Sequence, residues 1–318
     1  MSQPDLHRYL DTYLSVREAL GFQMRAERTL LRDFVRFVED AQGTSSLCAQ
    51  VAVDWACASS STRGTSGASQ RLSMARRFLT YLRATLPETE IPARHFISSA
   101  RRPKPFLFRL DQLQALMRAA QKAGGPRGAL RPHTLSTLIG LLASTGLRAG
   151  EAIRLTMADV ELDGGPPFLH IRQTKFHKSR FVPLHASTAD QLQRYLARRR
   201  QLQYDALSDA VFVSEKGQPL SYEALAQWFT TTCRRIGIGP THGGRRPTLH
   251  ALRHTFAVER LRRWYQEGAD VQALLPNLAV YLGHVRPQES YWYLSATPEL
   301  LTAAAARFQR YAIGGESS

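Results

Sequence analysis

Cysteine is scarce in this sequence, and long apolar runs are missing. The three cysteines, Cys48, Cys57 and Cys233, are scattered and form no CxxC pair. This pattern argues against a disulfide framework and a structural zinc site, and it favours reduced thiols in a cytosolic setting. No run of about 18 apolar residues occurs, so we expect no membrane span. The N-terminal residues MSQPDLHRYLDTYL are charged early and lack the apolar segment of a secretory signal.

Acidic side chains are in a minority, and their shortage is uneven along the chain. The sequence has 42 Lys and Arg against 26 Asp and Glu, which gives a formal net charge of +16. Residues 1–100 contain 12 basic and 10 acidic side chains, so the other 30 basic and 16 acidic ones lie in 101–318. Such an asymmetry is typical of proteins that bind a polyanion, usually nucleic acid. A basic protein without such a partner is the alternative.

Length and composition predict two folded domains. The 318 residues suffice for two domains of ordinary size, and 43% of them are hydrophobic and can fill two cores. Apolar residues at helical spacing in 5–86, with a loop-like SSSTRGTSG run at 59–67, predict four short helices around one core. We assign residues 1–97 to this N-terminal helical domain.

A basic segment with two prolines follows the first domain. Residues 98–108, SSARRPKPFLF, are predicted to be an interdomain linker because proline disfavours helix. Its cations would suit a segment that lies along DNA phosphates, although a solvated linker explains them equally well; they are Arg101, Arg102 and Lys104. We assign residues 109–318 to the second domain, which is predicted to be mainly helical with a β-hairpin at 168–184. Its predicted helices include 187–203, 221–236, 248–266 and a last one at 298–311.

Three short motifs in the second domain carry the candidate chemistry. Residues 145–151, TGLRAGE, place Arg148 at a turn after a helix that ends at Gly146. Residues 250–254, HALRH, put His250 and Arg253 on one side of a helix. Residues 282–284, LGH, are followed by Tyr293, nine residues after His284.

The spacing of His250 and His254 is also that of two zinc ligands on a helix. A metalloprotease with this motif would need glutamate at position 251 as its general base. The chain has Ala251 there, so this interpretation is discarded.

Together with a lysine in the predicted hairpin, the motifs resemble those of the tyrosine recombinase, or phage integrase, family. That family has TGLRxGE, the hairpin lysine, HxxR, LGH and a tyrosine nine residues later, in this order. The resemblance covers residues 100–312 well and the N-terminal part only in size, position and helical character. It implies a mainly α fold with a small β-sheet, in which an N-terminal four-helix SAM-like core-binding domain precedes an α/β tyrosine recombinase catalytic domain. The sequence of residues 291–301 resembles the corresponding segment of recombinases that transposable elements carry.

Cleavage of a phosphodiester needs residues of these types. Two guanidinium groups, those of Arg148 and Arg253, can hold the non-bridging oxygens while negative charge develops. Tyr293 would attack phosphorus, form a 3′-phosphotyrosine and expel a 5′-hydroxyl. Because the new ester preserves the energy of the old one and the arginines neutralise charge, we expect no metal and no other cofactor.

The resemblance implies roles for the other candidate residues. Lys175 would protonate the leaving oxygen as general acid, with Lys178 as its local rival. His250 and His284 would donate hydrogen bonds to the phosphate or help to deprotonate the tyrosine, and Glu151 would orient the cluster. Lys178 and Arg180 are additional candidates for DNA contact. Tyr291 is the rival nucleophile, because the family often has small hydroxyl residues before the tyrosine, where this chain has Ser290, Tyr291 and Trp292.

The resemblance therefore predicts a site-specific DNA recombinase of the integrase or transposase type. Its two domains would clamp double-stranded DNA, and it would form a homo-oligomer on DNA, most often a tetramer on two paired duplexes, with other recombinases as further partners. We expect no membrane partner and a cytoplasmic, nucleoid-associated protein. The alternatives are a type IB topoisomerase, which would relax supercoils without pairing sites, and a catalytically inactive DNA-binding accessory protein.

Overall fold

The computed structural model describes residues 5–41, 47–58, 64–94, 96–97, 105–124, 130–172, 179–240, 245–283 and 293–294. Two compact units make up the chain, Met1–Arg102 and Pro103–Ser318. No helix within the described ranges has the length and apolar character needed to span a membrane.

The first unit contains the four predicted helices: α1 (Leu6–Ala19), α2 (Arg25–Asp40), α3 (Ala49–Ala58) and α4 (Gly64–Arg83). Each helix contributes large buried side chains to one core, among them Leu10, Phe34, Trp55 and Phe78. Helix α4 begins inside the stretch 59–67 that composition predicts to be a loop. Ala68 is buried, so burial in the core outweighs the weak helix propensity of glycine and serine. Residues 59–63 lie outside the described residues.

The second unit is also mainly helical. Its helices are α5 (Leu110–Gln121), α6 (Arg131–Thr145), α7 (Ala149–Ala152), α8 (Ala186–Gln201), α9 (Tyr222–Arg235), α10 (Leu249–Gln266) and α11 (Val271–Leu282). Helix α6 packs against α5, α8 and α10. Nine residues of α6, from Thr134 to Thr145, are buried, which places this helix in the centre of the unit.

Part of the predicted linker belongs to the core of the second unit. Phe106 and Phe108 are buried in that core. The amide of Phe108 donates to the hydroxyl of Thr255 on α10 at 2.9 Å. Residues 98–104, with the candidate DNA contacts Arg101, Arg102 and Lys104, lie outside the described residues.

A three-stranded antiparallel sheet completes the second unit. Its strands are β1 (Val160–Glu161), β2 (Phe168–Ile171) and β3 (Arg180–Pro183), in the order β1-β2-β3. Leu169 pairs with Val182 and Ile171 with Arg180. The predicted β-hairpin at 168–184 is therefore present, with β2 and β3 as its two paired strands. Residues 173–178 of its turn, which include Lys175 and Lys178, lie outside the described residues.

Candidate active site

The turn after α6 is shaped by Gly146. Its backbone is left-handed, with φ 64° and ψ 18°, a conformation that glycine adopts without steric cost. A Cβ at this position would lie 2.5 Å from the Phe256 ring, so the space is also closed to any side chain. The turn leads through buried Leu147 to Arg148, which is the N-cap residue of α7.

Glu151 is the buried carboxylate of the site. Arg148 donates to it from its backbone amide at 3.1 Å and from Nη1 at 2.9 Å. Arg180 donates from Nη1 to Oε1 at 3.2 Å and from Nη2 to Oε2 at 2.8 Å. Burial alone would raise the pKa of Glu151, but the hydrogen bonds and charges of Arg180 and then Arg148 outweigh it and lower the pKa to about 2. Glu151 is therefore ionised at neutral pH.

Arg253 is a buried cation that holds the ends of two helices. Its Nη1 donates to the Gly146 carbonyl at 2.9 Å, and its Nη2 donates to the Leu282 carbonyl at 2.7 Å. Burial, and then the positive charge of Arg148, lower the pKa of Arg253 to about 10. The guanidinium still carries its charge at neutral pH.

Three arginines converge on the C-terminal end of α11. Arg180 Nε donates to the carbonyl of Tyr281 at 2.8 Å, Arg253 to that of Leu282, and Arg148 Nη2 to that of Gly283 at 3.2 Å. The last carbonyls of a helix lack partners within the helix and form the negative end of its dipole. The arginines therefore neutralise this end of α11. The next residue in the sequence is His284, which lies outside the described residues.

Tyr293 lies inside the same region and is 2% exposed. It packs with apolar side chains of α10 and α11, including Val258, Leu261 and Leu278. Its hydroxyl is 3.2 Å from Nδ1 of His254. In its ionised form Tyr293 would raise the pKa of Arg253, against the larger effects of burial and Arg148. The phenolate and the guanidinium would therefore stabilise each other.

Four of the predicted catalytic and supporting residues meet in this region: Arg148, Glu151, Arg253 and Tyr293. His250 is exposed one turn before His254 on α10, and the two imidazole rings are 4.4 Å apart between centroids. The other predicted catalytic residues, Lys175 and His284, lie outside the described residues, as does the rival tyrosine Tyr291.

Arg180 does not have the surroundings expected of a DNA contact. Its side chain is only 10% exposed, and Glu151 and the Tyr281 carbonyl occupy its guanidinium. Arg180 is the first residue of β3, and its side chain points into the interior of the protein. Sequence reasoning also overlooked His254, which it considered only as a metal ligand. Its i,i+4 relation to His250 was the available signal that it shares the face of α10 near the site.

Comparisons with known proteins identify the family of the chain. The model of the phage integrase family matches residues 107–299. A putative integrase/recombinase of Sinorhizobium fredii, y4rB, is 39% identical over 302 residues, which cover 94% of this chain and 95% of that protein. The chain belongs to the phage integrase family. As a tyrosine recombinase it is an enzyme of DNA strand breakage and rejoining, and none of the comparisons favours a topoisomerase or an inactive accessory protein.

Solved structures share its fold. The Tn1549 transposon integrase in complex with transposon right-end DNA is 16% identical, with a TM-score of 0.65 over 96% of this chain and 99% of that one. A λ integrase tetramer bound to a Holliday junction is 17% identical, with a TM-score of 0.63 over 89% of this chain and 78% of that one. The predicted fold, mainly α with a small sheet in two domains of the tyrosine recombinase type, is confirmed.

Proposed function

We propose that this tyrosine recombinase integrates or excises a mobile DNA element by cutting and rejoining duplex DNA at specific sites, with Tyr293 as nucleophile. The observation that carries the proposal is the position of Tyr293, which is buried against α10 and α11 with its hydroxyl 3.2 Å from His254. Helix α10 also carries Arg253, whose guanidinium joins those of Arg148 and Arg180 at the end of α11, and these cations can bind a phosphate.

The reaction follows from these groups. Oη of Tyr293 bonds to the scissile phosphorus, the bond from phosphorus to the 5′-oxygen breaks, and a 3′-phosphotyrosine results. Arg148 and Arg253 bind the non-bridging oxygens, while Lys175 gives the 5′-oxygen its proton. A guanidinium has five N–H groups, so Arg253 has the capacity to hold a phosphate besides the Gly146 and Leu282 carbonyls. Attack by a 5′-hydroxyl on the phosphotyrosine reverses the steps and rejoins the strand.

Glu151, His250 and His284 complete the proposed site. Glu151 keeps Arg148 in one position by accepting a hydrogen bond from its backbone amide and another from its Nη1. His250 and His284 would bind the phosphate or assist the tyrosine. No metal or other cofactor is part of the proposal, since the positive charges come from side chains.

The proposed partners are double-stranded DNA and further copies of this chain. Residues 1–97 would be the core-binding domain, and the linker would be the part of 98–108 that precedes Phe106 and Phe108, which belong to the core of the catalytic domain. Contacts to phosphates by Arg101, Arg102, Lys104 and Lys178 would supply affinity and a steep salt dependence. The λ integrase structure is a tetramer on a Holliday junction, which supports a tetramer of this chain on two paired duplexes. The protein would be cytoplasmic and associated with the nucleoid. The relation to a transposon integrase supports the mobile-element biology.

The decisive experiment is covalent trapping on a nicked duplex made from the DNA that flanks the gene. The wild-type protein should form an adduct that resists SDS, and it should do so in EDTA. Tyr293→Phe should form none while binding DNA nearly as well, and Tyr291→Phe should still form it. An adduct that persists in Tyr293→Phe and is lost in Tyr291→Phe would transfer the role to Tyr291. Relaxation of supercoiled DNA of any sequence, without site pairing, would favour a topoisomerase.

A further inference from the structure

The sequence singled out His254 without giving it a role in the reaction. It follows Arg253 on α10 and lies one turn after His250. Its Nδ1 is 3.2 Å from the Tyr293 hydroxyl, and the two rings meet at 62° with centroids 5.6 Å apart. The imidazole is therefore placed edge-on to the phenol, with one ring nitrogen at hydrogen-bonding distance from its oxygen.

The chemistry of the two groups decides what this contact can do. A neutral imidazole that carries its proton on Nε2 has a lone pair on Nδ1 and accepts a hydrogen bond there. A phenol must lose its proton to become a strong nucleophile, and histidine is the side chain best suited to accept a proton near neutral pH. In this tautomer the Tyr293 O–H donates to His254, and the bond points along the path of proton transfer.

The surroundings favour the product of that transfer. Tyr293 is buried, and a buried phenolate needs a positive charge close by. Arg253 can supply it, because it is buried next to His254 on α10 and an ionised Tyr293 would raise its pKa. His250 contacts the His254 ring, with centroids 4.4 Å apart and the planes at 83°, so it restricts the rotation of that ring.

We propose that His254 is the base that accepts the phenolic proton of Tyr293, an inference that rests on the proposed role of Tyr293 as nucleophile. As Oη bonds to phosphorus, its proton moves to Nδ1 of His254, which becomes imidazolium. The bond from phosphorus to the 5′-oxygen breaks, and that oxygen takes a proton from a separate acid, Lys175. During rejoining, a 5′-hydroxyl gives its proton to Lys175 and displaces the tyrosine oxygen from phosphorus, and the phenolate recovers its proton from His254.

His254 is a third histidine, in addition to the two of the family motifs. The resemblance assigns tyrosine deprotonation, or phosphate binding, to His250 and His284. His250 is exposed and touches the ring of His254. In this proposal His250 binds the phosphate and orients the ring of His254, and His254 accepts the proton of the Tyr293 hydroxyl.

The experiment measures single-turnover cleavage by His254→Leu and His254→Asn on the trapping substrate, with His133→Leu as the matched control. His133 is an exposed histidine at the other end of α6. General-base catalysis contributes about 100- to 10,000-fold, so His254→Leu should cleave at least about 100-fold more slowly while DNA affinity stays unchanged. His254→Asn keeps an acceptor near the Nδ1 position but accepts no proton, so it should remain slow. Wild-type cleavage by both variants would overturn the proposal.

Two further measurements separate proton acceptance from a structural role. A substrate with sulfur in place of the 5′-bridging oxygen needs no acid for its leaving group, so it should rescue Lys175→Ala but not His254→Asn. Rescue of His254→Asn would assign the histidine to the leaving group and sink the idea. Difluorotyrosine at position 293, which ionises at lower pH, should shrink the defect of His254→Asn; an unchanged defect would mean that His254 takes no proton. If the wild-type chain forms no adduct through Tyr293, the proposed function fails instead.

Discussion

The guanidinium of Arg180 lies against the carboxylate of Glu151, with Nη2 2.8 Å from Oε2, and both side chains are nearly buried, at 10% and 3% exposure. The pair joins the start of β3 to the turn that carries Arg148. Because Arg180 also donates to the Tyr281 carbonyl, one side chain connects the sheet, the Arg148 turn and the end of α11. Arg180 therefore positions the elements of the site, and its guanidinium is occupied by protein groups rather than available to DNA.

The pH dependence of stability should report the Glu151 carboxylate. The pKa of Glu151 is lowered to about 2 in the folded chain. The stability that the ionised carboxylate gives the fold is therefore complete above the pKa that Glu151 has in the unfolded chain, and it is lost as the pH falls towards 2. A shift of this size corresponds to about 3 kcal/mol at neutral pH. Glu151→Gln should unfold more easily in urea at pH 7 and lose much of the difference in stability between pH 5 and pH 2.5. The exposed pair Arg262 and Glu259 provides the control, since Glu259→Gln should change little. A Glu151→Gln profile parallel to wild type would contradict the assignment.

Arg148→Ala and Arg253→Ala should have similar effects on cleavage and different effects on stability. Loss of one partner for the developing charge typically costs about 100- to 1,000-fold in rate. Arg253 is 1% exposed and holds two carbonyls, so its removal leaves buried acceptors unpaired, each costing about 1–3 kcal/mol. The side chain of Arg148 is 35% exposed, and we expect a smaller loss. Single-turnover cleavage and urea unfolding measure the two quantities. Full cleavage by either variant would remove that arginine from the site.

Gly146→Ala should destabilise the chain more than Gly237→Ala. Both glycines have positive φ, 64° and 73°, so each substitution carries a backbone cost of about 1–2 kcal/mol. At Gly146 a Cβ would also meet the Phe256 ring at 2.5 Å, whereas at Gly237 no atom of the described residues, apart from its chain neighbours, lies within 4 Å of such a Cβ. We expect an additional cost of about 1–3 kcal/mol from this overlap, together with loss of cleavage, because Gly146 precedes Arg148 and accepts from Arg253. Equal unfolding midpoints for the two variants would show that the contact with Phe256 is relieved cheaply.

The nucleophile should act in the site of its own chain. Tyr293 is buried against α10 of the same chain and within 3.2 Å of His254. A mixture of Tyr293→Phe and Arg148→Ala proteins should therefore form no more covalent adduct than either variant alone. Tagged proteins of different size would show which chain, if any, becomes attached to DNA. Adduct on the Arg148→Ala chain in the mixture would indicate that the tyrosine is delivered to a neighbouring copy.

Most helices of both units, although not α7 and α11, could be predicted from the sequence because apolar periodicity is a local signal. The predicted helices at 187–203, 221–236 and 248–266 match α8, α9 and α10 to within two residues. The helix end at Gly146 could be predicted for the same reason, since a glycine after an apolar run is a local signal for a helix end. The last predicted helix, at 298–311, lies outside the described residues and stays a prediction.

By itself, the sequence determined the family and the order of its motifs, because these depend on residue types at short spacings. Only the tertiary structure decided that Arg180 faces Glu151, and that Arg180, Arg253 and Arg148 bind three successive carbonyls at the C-terminal end of α11, the last of which belongs to its C-cap residue. Every α-helix ends in carbonyls that lack intrahelical partners, so no local pattern indicates which distant side chain will reach them. The contact between His254 and Tyr293, 39 residues apart, has the same origin. It depends on how α10 and the tyrosine segment pack, which is set by burial rather than by spacing along the chain.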